Sequence, residues 1–101
     1  MSYLHFRIPY LDLKNYTTNA DIVKIIPEEM ARYYQVVAID KFEGQNSLKG
    51  FKILTIGMVN PKDETAKKII EGKTGYHIEV FQVNIQDWAN TINKAYLKEV
   101  V

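Results

Sequence analysis

Cysteine is absent from this chain, which excludes disulfides and thiolate metal sites and leaves a reducing compartment open to it. Histidine is scarce. His5 and His77 lie far apart, with neither the i, i+4 nor the His-Glu-x-x-His spacing that places two ligands on one helix face, so both read as exposed and no metal is expected. The five glycines, at 44, 50, 57, 72 and 75, nowhere form the Gly-x-Gly-x-x-Gly dinucleotide fingerprint. Serine occurs only at Ser2 and Ser47, neither in a nucleophile-elbow setting. No run approaches the roughly 18 apolar residues of a bilayer span, and Met1 to Tyr10 lack a basic segment followed by an apolar one, so neither membrane insertion nor export is expected. The formal net charge is only +1, from 13 basic and 12 acidic side chains spread along the chain. That balance creates no field to gather nucleic acid or anionic lipid.

What remains is the composition of one soluble globular domain. The 101 residues are 47% hydrophobic and 25% charged, enough to bury roughly two-thirds of the unfolded surface. Residues 1–7 read as an N-terminal lead-in and 8–101 as a single domain. Leu4, Phe6 and Ile8 share one side if the lead-in is extended, up to Pro9.

Turn-forming residues follow from Lys14 to Asn19, where Asn19 can cap a helix with Ile22, Val23, Ile25 and Ile26 on its apolar face. Pro27 ends that helix and opens a second over Glu28 to Tyr34, with Met30, Ala31 and Tyr34 turned to the core. Val36 to Phe42 and Phe51 to Val59 read as an antiparallel pair joined by a turn at Glu43-Gly44-Gln45-Asn46-Ser47. The second of these strands is apolar on both faces and should be central. Asn60 is then expected to cap a helix beginning at Pro61, with Ala66, Ile69 and Ile70 buried and Gly72 or Gly75 closing it. Tyr76 to Val83 reads as a third strand, and Asn84 with Asp87 as a capping box for a last helix whose stripe is Ile85, Trp88, Ile92, Ala95 and Tyr96. The sum is an α+β domain, a small mixed or antiparallel three-stranded sheet packed with about four helices.

Chemistry-bearing motifs are few. Gly72-Lys73-Thr74 has the tail of a P-loop, but the motif needs a glycine where Lys67 stands, and here a helix precedes and a strand follows, the reverse of the phosphate-binding order. It reads as a helix stop. Glu28, Glu29, Asp63 and Glu64 read as helix-dipole partners rather than an acid and base pair, so no catalytic residue is assigned and the domain is not expected to be an enzyme. Trp88 reads as core. The pair Tyr33-Tyr34, with Arg32 and Lys41 nearby in sequence, can either pack with one ring exposed or stack on a base or a partner's side chains.

Taken in order, Ile8-Pro9-Tyr10-Leu11-Asp12-Leu13, Ile25-Ile26-Pro27-Glu28-Glu29-Met30-Ala31-Arg32-Tyr33-Tyr34, Leu54-Thr55-Ile56-Gly57-Met58-Val59-Asn60-Pro61, Thr74-Gly75-Tyr76 and the stretch from Trp88 to Tyr96 resemble the N-terminal domain of the type II secretion and type IV pilus assembly ATPases. The likeness runs from Ile8 to Tyr96. It implies a cytoplasmic docking module that precedes the motor domains and binds the cytoplasmic side of an inner-membrane platform protein, with no nucleic acid and no cofactor. Arg32, Tyr33 and Lys41 are the expected partner contacts, since aromatic and Arg side chains dominate such interfaces. Some relatives bind cyclic di-GMP through tandem Arg-Leu-Gly-x-x-Leu motifs. Arg7-Ile8-Pro9 does not fit that motif, which ranks a cyclic di-GMP sensor below docking. Walker motifs are also absent, so the chain is expected to be either an excised domain or a small stand-alone adaptor.

Overall fold

The structure, a computed structural model, describes residues 8–44 and 51–97. The lead-in over 1–7, with His5 and Ser2, and the turn residues Gln45, Asn46 and Ser47 lie outside the described residues. A short 3-10 turn at Leu13–Asn15 leads into α1 (Ala20–Val23) and α2 (Glu28–Tyr34), then β1 (Val36–Gly44), β2 (Phe51–Met58), α3 (Glu64–Thr74), β3 (His77–Gln82) and α4 (Ile85–Ala95). This is the α+β architecture expected, and its sheet is of the mixed kind: β2 lies in the centre, antiparallel to β1 and parallel to β3. The parallel pair follows from α3, because strands running the same way need a long crossover between them.

Asn19 caps α1 by accepting the Asp21 N–H at 2.8 Å. The helix was expected to reach Ile26 but ends at Val23, since a following proline pushes Ile26 out of the helical region. Val23 and Ile26 are nonetheless fully buried. Pro27 is extended, at φ −56° and ψ 143°, and sits just outside α2.

The expected cap at Asn60 is not formed. Asn60 and Pro61 instead occupy a turn closed by the Asp63 N–H on the Asn60 carbonyl at 3.2 Å, with Asn and Pro at the two leading positions such turns favour. Asp63 is the cap, its carboxylate accepting the Ala66 N–H at 3.0 Å. Gly75, at φ 77°, closes α3 in the left-handed conformation that costs glycine little. Ala66 and Ile70 face the core, whereas Ile69 remains 39% exposed, because the buried stripe leans instead toward Lys67, Glu71 and Thr74. On α4, Asn84 accepts the N–H groups of Gln86 and Asp87, and Trp88 and Ile92 are buried. Ile85, expected in the stripe, is exposed at the helix start. Strand ends also shift: Glu43 and Gly44 extend β1 rather than turn, and Tyr76 and Val83 flank β3.

The core joins Leu54, Ile56 and Met58 of β2 to Val36 and Ala38 of β1, Ile70 of α3 and Ile92 of α4, all with no exposed surface. Each of these side chains larger than alanine contributes roughly 1.5–3 kcal/mol by leaving water. Two long-range bonds fix α4 on this core. The Trp88 indole N–H donates to the Val36 carbonyl at 2.9 Å, and the Tyr96 hydroxyl is shared between the carbonyls of Val23, at 2.9 Å, and Ile26. Burial, with the Glu28 carboxylate adding to it, raises the pKa of that hydroxyl and keeps it a donor.

Candidate functional site

Arg32 and Tyr33 sit together in the last turn of α2. The Arg32 Nε donates to Glu28 Oε2 at 2.9 Å, a pair one helical turn apart that holds the guanidinium along the surface. Tyr34 is half-buried and packs on the core, and Tyr33 stands edge-on against it, ring centroids 4.8 Å apart at 90°. Tyr33 is left 79% exposed. Gln35 then turns the chain into β1 at φ 55° and ψ 55°, a left-handed conformation that costs a non-glycine residue roughly 1–2 kcal/mol. Its carbonyl accepts the Val59 N–H at 3.0 Å, so the sheet itself holds the bend. The result is an aromatic and cationic tip on a rigid base.

Lys41 is not part of that tip. From Val36 to Lys41 a strand advances roughly 17 Å at about 3.3 Å per residue, and a bulge between Ala38 and Asp40 bends it further. The bulge divides β1: Val36 to Ile39 are buried, whereas Asp40, Lys41, Phe42 and Glu43 are exposed. Beyond it β1 stays paired with β2, and past the end of β3 only Glu43 and Gly44, against Lys52 and Phe51, form a two-stranded ribbon.

Glu43 anchors the ribbon. Its carboxylate accepts the Tyr76 hydroxyl at 2.5 Å and lies 3.5 Å from Lys41 Nζ, while Lys52 Nζ sits 4.5 Å from the centre of the Tyr76 ring. The Tyr76 hydrogen bond, followed by the Lys41 charge, holds the Glu43 carboxyl below its ordinary pKa, and the same bond raises that of Tyr76. A depressed carboxyl pKa stabilises the fold above the unfolded-state value and loses that effect as pH falls through the folded value. We predict that Tyr76→Phe moves the Glu43 titration up toward the ordinary carboxylate range, read by carboxyl-carbon NMR. An unmoved midpoint would mean that Tyr76 does not donate to it.

A separate cleft of about 620 Å³ opens between the Leu13 to Ala20 segment and the outer side of α4, with Lys14, Tyr16, Asp87, Asn90 and Lys94 among its walls. None of Arg32, Tyr33 or Lys41 lines it. Sequence reading missed this cleft because its polar residues carry no motif and meet only through the docking of α4. Among the described residues, no group of three or more His, Asp or Glu side chains could hold a metal ion. No helix among them is long and apolar enough to cross a membrane.

The family model described as MshEN domain matches residues 6–101. No match is found among curated proteins. Among solved structures the chain is similar to one described as "Structure of MshE with cdg", at 22% identity and a TM-score of 0.70, covering 88% of this chain and 59% of that one. At that identity the likeness concerns the fold, and this chain spans less than two-thirds of the other's length.

Proposed function

This chain belongs to the MshEN family, an N-terminal domain of type II secretion and type IV pilus ATPases, and from that premise we propose that it is a cytoplasmic docking module linking such a motor to the cytoplasmic part of an inner-membrane platform protein. MshEN is a regulatory domain and not a catalytic one. The observation that carries the proposal is the tip of α2, where Tyr33 is held out of the core by Tyr34 while Arg32 lies one residue away. An exposed aromatic costs little to order and buries a large area on contact. Lys41 contributes to the same interface only for a partner that reaches from α2 along β1.

The test is calorimetry with the platform protein's cytoplasmic domain. Micromolar binding is expected, weakened about tenfold or more by Tyr33→Ala and by Arg32→Ala, the loss typical of interface anchors. No binding at concentrations that cover micromolar affinity would overturn the proposal. A second reading, cyclic dinucleotide sensing, draws on the similar structure described with "cdg", which we read as cyclic di-GMP. Saturable, tight calorimetric binding of that nucleotide to this chain would place sensing above docking.

A further inference from the structure

The last helix holds both ends of α2. The Trp88 indole N–H, near the start of α4, bonds to the carbonyl of Val36, just past the end of α2. The Tyr96 hydroxyl, at the C-terminal cap of α4, bonds to the carbonyl of Ile26, just before α2 begins, and to that of Val23 at 2.9 Å. From Trp88 to Tyr96 a helix rises about 12 Å, and the seven residues of α2 rise about 10 Å. The two bonds thus match α2 in length and bracket it.

The bracket matters most at the Tyr96 end. Pro27 carries no N–H and has an extended backbone, so it cannot close the corner between α1 and α2 with a helical bond of its own. The phenol, shared between the Val23 and Ile26 carbonyls, fastens that corner instead. The Ala31 N–H bonds to the Pro27 carbonyl at 2.9 Å directly beside it. The Glu28–Arg32 ion pair lies within electrostatic reach of the same phenol. Burial is the main cause of the raised phenol pKa, Glu28 raises it further and Arg32 works against it. A rearrangement of the ion pair is therefore felt at the phenol, and a displaced phenol is felt at the ion pair.

We infer that Tyr96 is a positioning residue for the α2 tip: its hydroxyl, with Trp88 at the far end, sets how α2 carries Arg32 and Tyr33, and a partner that draws Arg32 off Glu28 loosens the last turn of α4. The consequence for binding rests on the docking reading above, whereas the coupling itself is a property of the free chain. Coupling between two groups is reciprocal, so it can be read from either end.

The test is amide hydrogen exchange by NMR on the full chain, with the amides of β2 as the reference for global opening. Tyr96→Phe keeps the ring and removes the donor. It should speed exchange of the Ala31 N–H about fivefold or more relative to β2, while the Val59 N–H, bonded to the Gln35 carbonyl at the other end of α2, changes less than about twofold. Glu28→Gln removes one charge of the ion pair and touches no backbone bond. It should speed exchange of the Tyr96 N–H, bonded to the Ile92 carbonyl at 3.0 Å in the last turn of α4, about fivefold or more. Equal speeding at Ala31 and Val59 in Tyr96→Phe, or an unmoved Tyr96 N–H in Glu28→Gln, would overturn the coupling. Should Tyr96→Phe fail to fold, the Glu28→Gln result still decides it. In calorimetry with the platform protein's cytoplasmic domain, Tyr96→Phe should weaken binding about fivefold or more, and an unchanged affinity would overturn the positioning role. A wild-type chain that does not bind overturns the docking reading alone, because the exchange measurements need no partner.

Discussion

Replacing Trp88 with alanine is expected to destabilise the fold by about 3–5 kcal/mol, the usual cost of emptying a buried aromatic site. Against the roughly 5–15 kcal/mol that keeps a domain folded, that loss leaves a marginal protein. Two effects add at this position. The ring, only 8% exposed, fills the space between α4 and the buried half of β1, and its N–H satisfies the carbonyl of Val36, a fully buried residue. Trp88→Phe separates them: it retains most of the apolar area but strips the carbonyl of its donor, at about 1–3 kcal/mol. Urea denaturation followed by circular dichroism measures both, fluorescence being ruled out because Trp88 is the only tryptophan. An alanine variant within about 1 kcal/mol of wild type would mean that α4 is held by Tyr96 and Ile92 without it.

The dominant signal in this chain is local, and local features were legible. Asn19, Asn84 and Gly75 cap helices through bonds that span two to four residues and that depend only on side-chain type and position. The centrality of β2 was equally readable, since an apolar pattern on both faces leaves no side for water. Asn60-Pro61 misled for an equally local reason. Asn then Pro suits a helix start and a turn alike, and the choice went to the turn because Asp63, three residues on, makes the better cap.

Candidate site residues were legible in type but not in grouping. Nothing in the sequence shows that a bulge at Ile39 separates Lys41 from Arg32 and Tyr33. Nor could it pair Glu43 with Tyr76, because that bond crosses 33 positions and requires both the β1–β2 ribbon and the α3 crossover to be in place. Ile69 and Ile85 were assigned to buried stripes by period alone. Each helix presents a narrower contact than its period allows, and these two side chains fall at its margins.

Gly57 marks the tightest point of the sheet, and Gly57→Ala is expected to destabilise the fold by about 1–3 kcal/mol through overpacking. A Cβ there would lie 2.6 Å from Val83 Cγ1, 3.2 Å from Ile39 Cδ1 and 3.3 Å from Val37 Cγ1. The valine cannot easily yield. Its side chain is branched and stiff, it is 2% exposed, and its N–H is fixed to the Met58 carbonyl at 3.1 Å. Alanine lowers the entropy of the unfolded chain and recovers about 0.4–1 kcal/mol, which is smaller than the clash. Val83→Ala alone should cost about 1.5–3 kcal/mol for the lost methyl groups and the space they leave. Combined, the two changes should cost less than their sum by about 0.5–3 kcal/mol, because the new methyl at position 57 enters the space vacated at 83. Urea denaturation of the four proteins closes this cycle. Additivity within about 0.5 kcal/mol would shift the obstruction to Ile39 and Val37, on the strand that carries the bulge.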